Sequence, residues 1–552
     1  MTQQPDCHGT PPLTARTEAW MEALTQDPQL CAALVEQHGS PLNVHNFEPM
    51  RRNIDELRDA AAQHQIAFQV FFARKANKTH GAALAAHRAG AGIDVASQRE
   101  LEQCLNLGIP GHAIIFSAAT KTPAAIDAAL VGGVTISVDN ADELALISAR
   151  AGALQVGVDG AIDGLARVAL RLAILDPEIP PTRFGLAAGQ WLEALGSCAV
   201  ESLSITGIHF HLNGYSAEHR AIGLRQALTF ADQLRSLGHP VEFIDMGGGI
   251  PMSYLDSKEQ WQEFWRAVAA SADAGALDAA GVGTGGLGED VVAVGKPAVS
   301  GDTTNRAWPS GLGSGVTASG VAGSGPTWRG DTLGLVDHEA DRPSPATYPY
   351  YQAVTRGEWL RQILSAPAGS DGGTVADELR VRQIELRCEP GRSLLDGCGM
   401  TIAQVAFRKH ASDGIPLVGL YMNRTQVRST SADFLLDPIL IRRSPQPVVS
   451  GSSSEPGRPA LSESSVPSDP LSGAFLVGSY CIEEELILRR SFDFPNGVQV
   501  GDLIAFPNTG GYLMHILESA SHQLPLAANL VATPGDSKLG IPEHWVLDGI
   551  DR

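Results

Sequence analysis

Five short segments carry side chains that could do covalent chemistry. Lys75 ends the run IAFQVFFARKANKTH, in which Phe68, Val70, Phe71, Phe72 and Ala73 read as a buried strand interrupted only by Gln69. A lysine at the mouth of such a strand is partly desolvated. Desolvation favours the neutral amine, and a neutral amine can join a carbonyl as a Schiff base. The same residue, with Arg74 and Lys78 beside it, also reads as a plain solvated strand end. Asp94 follows GAGI, His211 lies in HFHLNGYS, Gly247, Gly248 and Gly249 follow FIDM, and Glu389 to Arg392 spell EPGR after IELRC. A glycine triplet allows close backbone approach and can converge amide N–H groups on an anion, or it can simply turn the chain. EPGR sets a carboxylate and a guanidinium three positions apart, a spacing that ordinary surface ion pairs share.

The elements around these segments alternate. From about 46 to 270, short β-rich runs (IAFQVFF, GIDVA, AIIFS, VTISVD, RVALRLAI, SITGIHFHL, VEFIDM) alternate with Ala/Leu-rich stretches of helical character. That rhythm implies parallel strands with crossover helices. Two later elements, at 349–366 and 381–388, bring the count close to eight, which favours a (β/α)8 barrel over an open sheet. A barrel gathers reactive residues at the carboxyl ends of its strands, where all five segments fall. After EPGRSLLDG the runs TIAQVAFRK, IPLVGLYM, DPILIRR, LILRRSF and DLIAFP lack long helices between them and imply a second, mainly antiparallel β domain. PLNVHNFE at 41–48 is a candidate leading strand for it.

The expected organisation is therefore α/β. Residues 1–45 form a tail, loose over 1–18, and that leading strand; 46–393 form the barrel; 394–552 form the β domain. A glycine-rich insertion at 273–347, pinned locally by Trp308 and Trp328, and a polar insertion at 451–470 offer too little apolar side chain for a packed core. The chain has 552 residues, 43% of them hydrophobic, and a formal charge of −21, which disfavours nucleic acid and anionic membranes as partners. Seven cysteines without a CxxC pair disfavour a disulfide framework or structural zinc, and no metal site is expected. With no basic-then-apolar leader and no run of eighteen apolar residues, a cytoplasmic location is the expectation.

Taken together, the five segments meet the needs of a phosphorylated aldehyde cofactor. It requires a lysine for its carbonyl carbon, amides and an arginine for phosphate, a flat group against its ring and a partner for its ring nitrogen. Lys75, Gly247–Gly249 with Arg392, His211 and Glu389 fill those roles in that order. FFARKANKT, GAGIDVAS, FHLNGYS, FIDMGGG, ELRCEPGR, GSYCIEEEL and TGGYLMH follow one another across roughly 40–520. In these motifs the chain resembles the pyridoxal-phosphate-dependent amino-acid decarboxylases of fold type III, on the alanine-racemase-like barrel. That group contains the ornithine, arginine and diaminopimelate decarboxylases, and within it the chain most resembles the Y4yA-like family.

The resemblance implies decarboxylation of an amino acid on pyridoxal 5'-phosphate, with carbon dioxide released, and assigns roles. Lys75 corresponds to the Schiff-base lysine, His211 to the histidine stacked on the pyridine, Asp94 to the acid near the lysine, and Arg171 to a supporting polar residue beneath the cofactor. Glu389 corresponds to the partner of the protonated ring nitrogen, which deepens the electron sink. Gly248, Gly249, Arg392 and Tyr512 correspond to phosphate ligands, with Gly391 among the cofactor-binding residues. Asn213 and Tyr215 lengthen the turn around Gly214 relative to the family pattern and leave the reach of Ser216 open. Cys481 corresponds to a cysteine that the second subunit of a two-fold homodimer supplies as the acid reprotonating the product. Read alone, after apolar FLVG, it is more readily a small core residue.

Two departures bear on substrate. Decarboxylases of basic amino acids carry an acid directly after that cysteine, where this chain has Ile482, and a second acid where LYMNRTQ has Arg424. A buried ammonium without a partner is costly. The resemblance with these departures implies an apolar, aromatic or distally acidic substrate rather than lysine or ornithine, met by Arg424, Ile482 and Glu483. A racemase on the same fold, which needs two opposed bases, and a noncatalytic cofactor-binding homologue are the alternatives. A phosphate-binding sugar enzyme would explain GGG and EPGR but give Lys75 and His211 no joint task.

Overall fold

The structure, a computed structural model, describes residues 5–155, 164–267, 336–337, 342–343, 348–369, 372–429, 434–443, 469–483, 485–533, 542 and 544–551. Trp308, Trp328 and nearly all of both insertions lie outside the described residues.

Helices α1 (Ala19–Thr25) and α2 (Pro28–His38) precede strand β1 (Leu42–His45) and helix α3 (Glu48–Gln63). Strands β2 (Phe68–Ala73), β3 (Gly92–Val95), β4 (Ile114–Phe116), β5 (Thr135–Val138), β6 (Ala166–Arg171), β7 (Leu203–His209), β8 (Phe243–Asp245) and β9 (Glu385–Cys388) then pair in parallel, and β9 returns to β2 to close a barrel. The alternation in the sequence thus produces the expected closed (β/α)8 barrel. Seven strands come from the regular stretch, and the eighth is the late element at 385–388.

Side-chain size explains how the barrel fills. A Cβ added at Gly92 would meet the Phe71 ring at 2.4 Å, and one at Gly207 would meet the Phe243 ring at 2.2 Å. The two rings occupy the space those glycines leave, and the Arg387 guanidinium lies 3.6 Å from the Phe243 centroid. Helices α4 (His80–Arg88), α5 (Gln98–Asn106), α6 (Pro123–Val131), α7 (Ala141–Gln155), α8 (Ala188–Ser197), α9 (Ala217–Ser236), α10 (Arg356–Ser365) and α11 (Val375–Val381) surround it. Thr79, Ser97, Thr122, Ser216 and Thr374 each accept a backbone N–H at a helix start, so the chain leaves the strand ends through fixed turns. The element at 349–366 is helix α10 rather than part of the sheet.

The second domain uses β10 (Gly399–His410), β11 (Pro416–Leu420), β12 (Ile439–Ile441), β13 (Leu471–Val477), β14 (Phe492–Phe494), β15 (Leu503–Pro507), β16 (Ala528–Ala532) and β17 (Trp545–Leu547). β1 joins this sheet against β10, and most pairs are antiparallel, as expected. The β11–β13 and β1–β16 pairs are parallel.

Two expectations need correction. The N-terminal segment is not loose over its described part: His8–Gly9 pairs with β14, Leu13 is fully buried, and Asp437 accepts the N–H groups of Gly9 and Leu13. LILRRSF is not one strand; only its final phenylalanine enters β14. Buried Arg490 pairs there with Asp437 and donates to the carbonyls of Leu435 and Pro11, which bends the chain away from a ladder.

Candidate active site

Strand register brings the polar residues together. Ala73 pairs with Asp94, Arg171 with His209, and His209 with Asp245, all at the carboxyl ends of their strands. Lys75 follows β2 in a tight turn, and its Nζ lies 3.1 Å from Oδ2 of fully buried Asp94. The lysine side chain is 41% exposed, so the amine is reachable from the barrel mouth. The turn is held from three sides. Ala73 N–H donates to the Pro390 carbonyl at 3.1 Å, Tyr512 N–H to the Ala76 carbonyl at 2.8 Å, and Asn77 Nδ2 to the Gly510 carbonyl at 3.0 Å. EPGR and TGGY are thereby clamped onto the lysine segment.

The charge state of Lys75 is opposite to the sequence expectation. Burial alone would lower its pKa, but Asp94, then Tyr512 and Glu389, raise it above the ordinary lysine range. Without a carbonyl partner the amine is an ammonium held by Asp94. Desolvation was correctly read from the strand; the opposing carboxylate lies on a neighbouring strand.

From Asp94 a buried network runs across the barrel. Ser117 Oγ donates to Asp94, and the Ser117 carbonyl accepts from Arg171 Nη2 at 2.7 Å. Arg171 also pairs with Asp139 at 3.0 Å, and its Nε donates to His209 Nδ1 at 3.4 Å. Ser137 Oγ lies 2.7 Å from the same nitrogen. With donors on Nδ1, His209 carries its hydrogen on Nε2, 3.5 Å from Glu389 Oε2. His209, Asp245 and Glu389 have ligand atoms within 4.8 Å of one another, close enough for a metal ion, but Nε2–H has no lone pair to give one. Burial raises both carboxylic acids, and Glu389 raises Asp245 further, whereas Lys75 and Arg171 pull Glu389 back. Of the two carboxyls, Asp245 is thus raised the further. Glu389 Oε1 is buried and has no hydrogen-bond partner among the described residues.

The glycine triplet lies at the same end of the barrel. Gly247 and Gly249 have φ of +69° and +76°, which glycine alone adopts without strain. His211 lies over the triplet: a Cβ at Gly247 would meet its Nδ1 at 3.2 Å. Phe184 holds the imidazole edge-on at 5.9 Å. A Cβ at Gly391 would meet Tyr512 Oη and Ala76 Cβ, each at 2.7 Å, so this position must stay bare. Arg392 donates to Tyr254 Oη at 3.1 Å and lies against the Tyr348 and Tyr512 rings, with no carboxylate partner among the described residues. Ser216 caps α9, its Oγ accepting His219 N–H at 3.1 Å.

The remaining assigned residues lie elsewhere. Cys481 and Ile482 are exposed on the β domain, where with Phe407, Lys409 and Tyr480 they line a surface cavity of about 610 Å³. The core reading of Cys481 is thus excluded. Glu483 is exposed as well; Glu485 is the buried carboxylate there, accepting the Arg424 N–H at 2.9 Å and lying 3.7 Å from its Nε. Sequence reasoning missed His209, Asp245, Tyr254 and Arg220. The HxH repeat and the aspartate before GGG were visible signals for the first two. Arg220 carried none.

Residues 51–278 match the pyridoxal-binding domain of the pyridoxal-dependent decarboxylases. Over this stretch, about two fifths of the chain, the sequence is similar to the pyridoxal-dependent decarboxylases. It is 25% identical to the uncharacterized protein y4yA of Sinorhizobium fredii over 94% of this chain and 93% of that one. It is 28% identical to a diaminopimelate decarboxylase of Zymomonas mobilis, over 41% of this chain and 55% of that enzyme. In fold it resembles the Helicobacter pylori diaminopimelate decarboxylase crystallised with L-lysine, with a TM-score of 0.59 at 16% identity, covering 93% and 95% of the two chains.

The matched domain binds pyridoxal, and the site fits pyridoxal 5'-phosphate. Glu389 offers a buried, unpartnered oxygen for a protonated ring nitrogen, Lys75 an accessible amine, and the triplet with Arg392 a phosphate cradle without a competing carboxylate. His211 suits a flat, uncharged ring contact. Burial lowers its pKa to about 3, aided by the Lys75 and Arg220 charges, while burial lowers that of fully buried His45 to about 4. Ring-nitrogen NMR of labelled protein should show both imidazoles neutral down to about pH 5; a midpoint near 6.5 for either would contradict this burial. Unfolding frees His45 to bind a proton below about pH 6.5. Its contribution to stability is therefore present above that pH and falls, by about 1.4 kcal/mol per pH unit, as pH drops toward its folded value.

Among the described residues, no helix is long and apolar enough to cross a membrane.

Proposed function

We propose that this protein decarboxylates an amino acid in a site completed by a second copy of the chain. One observation carries the proposal. A single barrel end places the Lys75 amine and the free Glu389 oxygen on adjacent strands, beside a glycine cradle and an arginine lacking a carboxylate. When bound, pyridoxal phosphate supplies an aldehyde that joins an amine covalently and a ring that accepts the electron pair left as carbon dioxide departs. Asp94 holds the Lys75 nitrogen in place and can take its proton. Glu389, whose negative charge Lys75 and Arg171 favour against burial, stabilises positive charge at a ring nitrogen, and neutral His211 offers a face for stacking. Arg392 and the triplet amides hold the phosphate and fix the orientation of the ring. Cys481 lies outside the cluster of its own chain, and exposed Ile482 and Phe407 beside it give its face apolar surface for a second copy. From that copy the Cys481 thiol delivers the proton that replaces the lost carboxylate.

The same copy would set specificity. Arg424 and Ile482 offer no carboxylate to a distal ammonium, and Glu485 already engages Arg424. The substrate side chain is then apolar, aromatic or acidic. Incubating the cofactor-loaded protein with single L- and D-amino acids should give carbon dioxide and the matching amine for one of these classes. Faster turnover of lysine or ornithine would overturn the specificity reading alone. Inversion without gas release would overturn decarboxylation.

A further inference from the structure

Arg220 is the buried charge that the site described above leaves unexplained. It sits in the first turn of α9, is fully buried, and forms no ion pair among the described residues. Burial lowers its pKa to about 10, and its Nε and Nη1 have no hydrogen-bond partner among the described residues. A buried guanidinium with idle donors is costly unless an anion lies nearby. Its remaining nitrogen shows where. Nη2 donates to the carbonyls of Leu212, Gly214 and Gly248 at 2.8, 3.0 and 3.1 Å, tying the His211 loop to the glycine triplet.

The peptide geometry turns this clamp into a cradle. In a trans peptide the N–H points opposite to the C=O. Holding those three carbonyls toward Arg220 turns the N–H groups of Asn213, Tyr215 and Gly249 away from it, and none of the three has a protein acceptor among the described residues. Trp359 Nε1 fixes the Tyr215 carbonyl at 2.8 Å and so orients the Ser216 N–H in the same manner. Gly249 is glycine for this arginine: a Cβ there would meet Arg220 Nη2 at 2.3 Å and the Gly214 carbonyl at 2.7 Å.

We infer that Arg220 is a positioning residue for the cofactor phosphate, aiming a set of backbone N–H groups from two loops at the anion while adding a buried positive charge behind them. The inference rests on the pyridoxal-phosphate reading of the site. Apoprotein should be titrated with pyridoxal 5'-phosphate and, in parallel, with pyridoxal, which lacks the phosphate. Arg220→Met should weaken binding of the phosphorylated form by about 10- to 100-fold and leave pyridoxal unchanged. The phosphorus-31 resonance of the bound cofactor should shift. Arg220→Lys, which keeps the charge but not the fork, should show the same selective loss at about 3- to 10-fold and serves if the methionine variant does not fold. Equal loss for both compounds, or unchanged affinity for the phosphorylated one, overturns the assignment. If the unaltered protein fails to bind pyridoxal 5'-phosphate, the cofactor reading falls with it; if it binds and the variants match it, only the role of Arg220 falls.

Discussion

Lys75→Ala should reduce decarboxylation by at least about 10⁴-fold, a loss of about 5.4 kcal/mol of transition-state stabilisation. The amine lies close to Asp94 and Glu389, and no other lysine among the described residues reaches Asp94. The alanine variant also leaves Asp94 buried without its cation, so lost activity alone would not separate chemistry from folding. Lys75→Arg resolves this. The guanidinium can stay beside Asp94 and preserve the fold, but its pKa is too high to yield a neutral nucleophile. Arginine should therefore retain the melting temperature and lose both turnover and the covalent mass added when wild-type protein is treated with pyridoxal phosphate and a hydride reductant. Turnover within about 10-fold of wild type in Lys75→Arg would remove the lysine from the chemistry.

The charge on that amine illustrates how far the sequence can be read. An apolar run ending in lysine reveals desolvation, which is local. Asp94 opposes it from 19 positions away, and only the Ala73–Asp94 register brings the two together. The barrel itself was legible because strand and helix periodicities are local and their alternation leaves few topologies. Glu389 and Arg392 were legible because a four-residue turn carries both. Arg220 was not. On α9 it looks like Arg225 and Arg235, and its burial follows from packing against Trp359 and the two loops. The N-terminal segment was misread for a related reason: its anchor, Asp437, is more than 420 positions away. The surface position of Cys481 was equally hidden, since apolar Phe475, Leu476 and Val477 before it form the buried end of β13, while exposure begins only at Cys481 itself.

That outward position makes the second large effect a test of assembly. Cys481→Ala should lower turnover by about 10²- to 10⁴-fold if the thiol is the product's proton donor. The informative measurement mixes this variant with Lys75→Ala. In a heterodimer with shared sites, one site combines both substitutions and is dead, while the other combines an intact Lys75 with an intact Cys481. Random exchange makes half the dimers mixed, so equal amounts should recover about a quarter of wild-type activity from two nearly inactive stocks. Recovery should follow the rate of subunit exchange and vanish when the mixture is diluted into monomer. A cysteine acting within its own chain gives a different result, because each variant then spoils every site it contributes to and no pairing restores one. The surface around Cys481 favours the first outcome. Its cavity is lined by β-domain residues, none of them from the Lys75 cluster, and the apolar side chains of Ile482 and Phe407 remain exposed unless a second copy covers them.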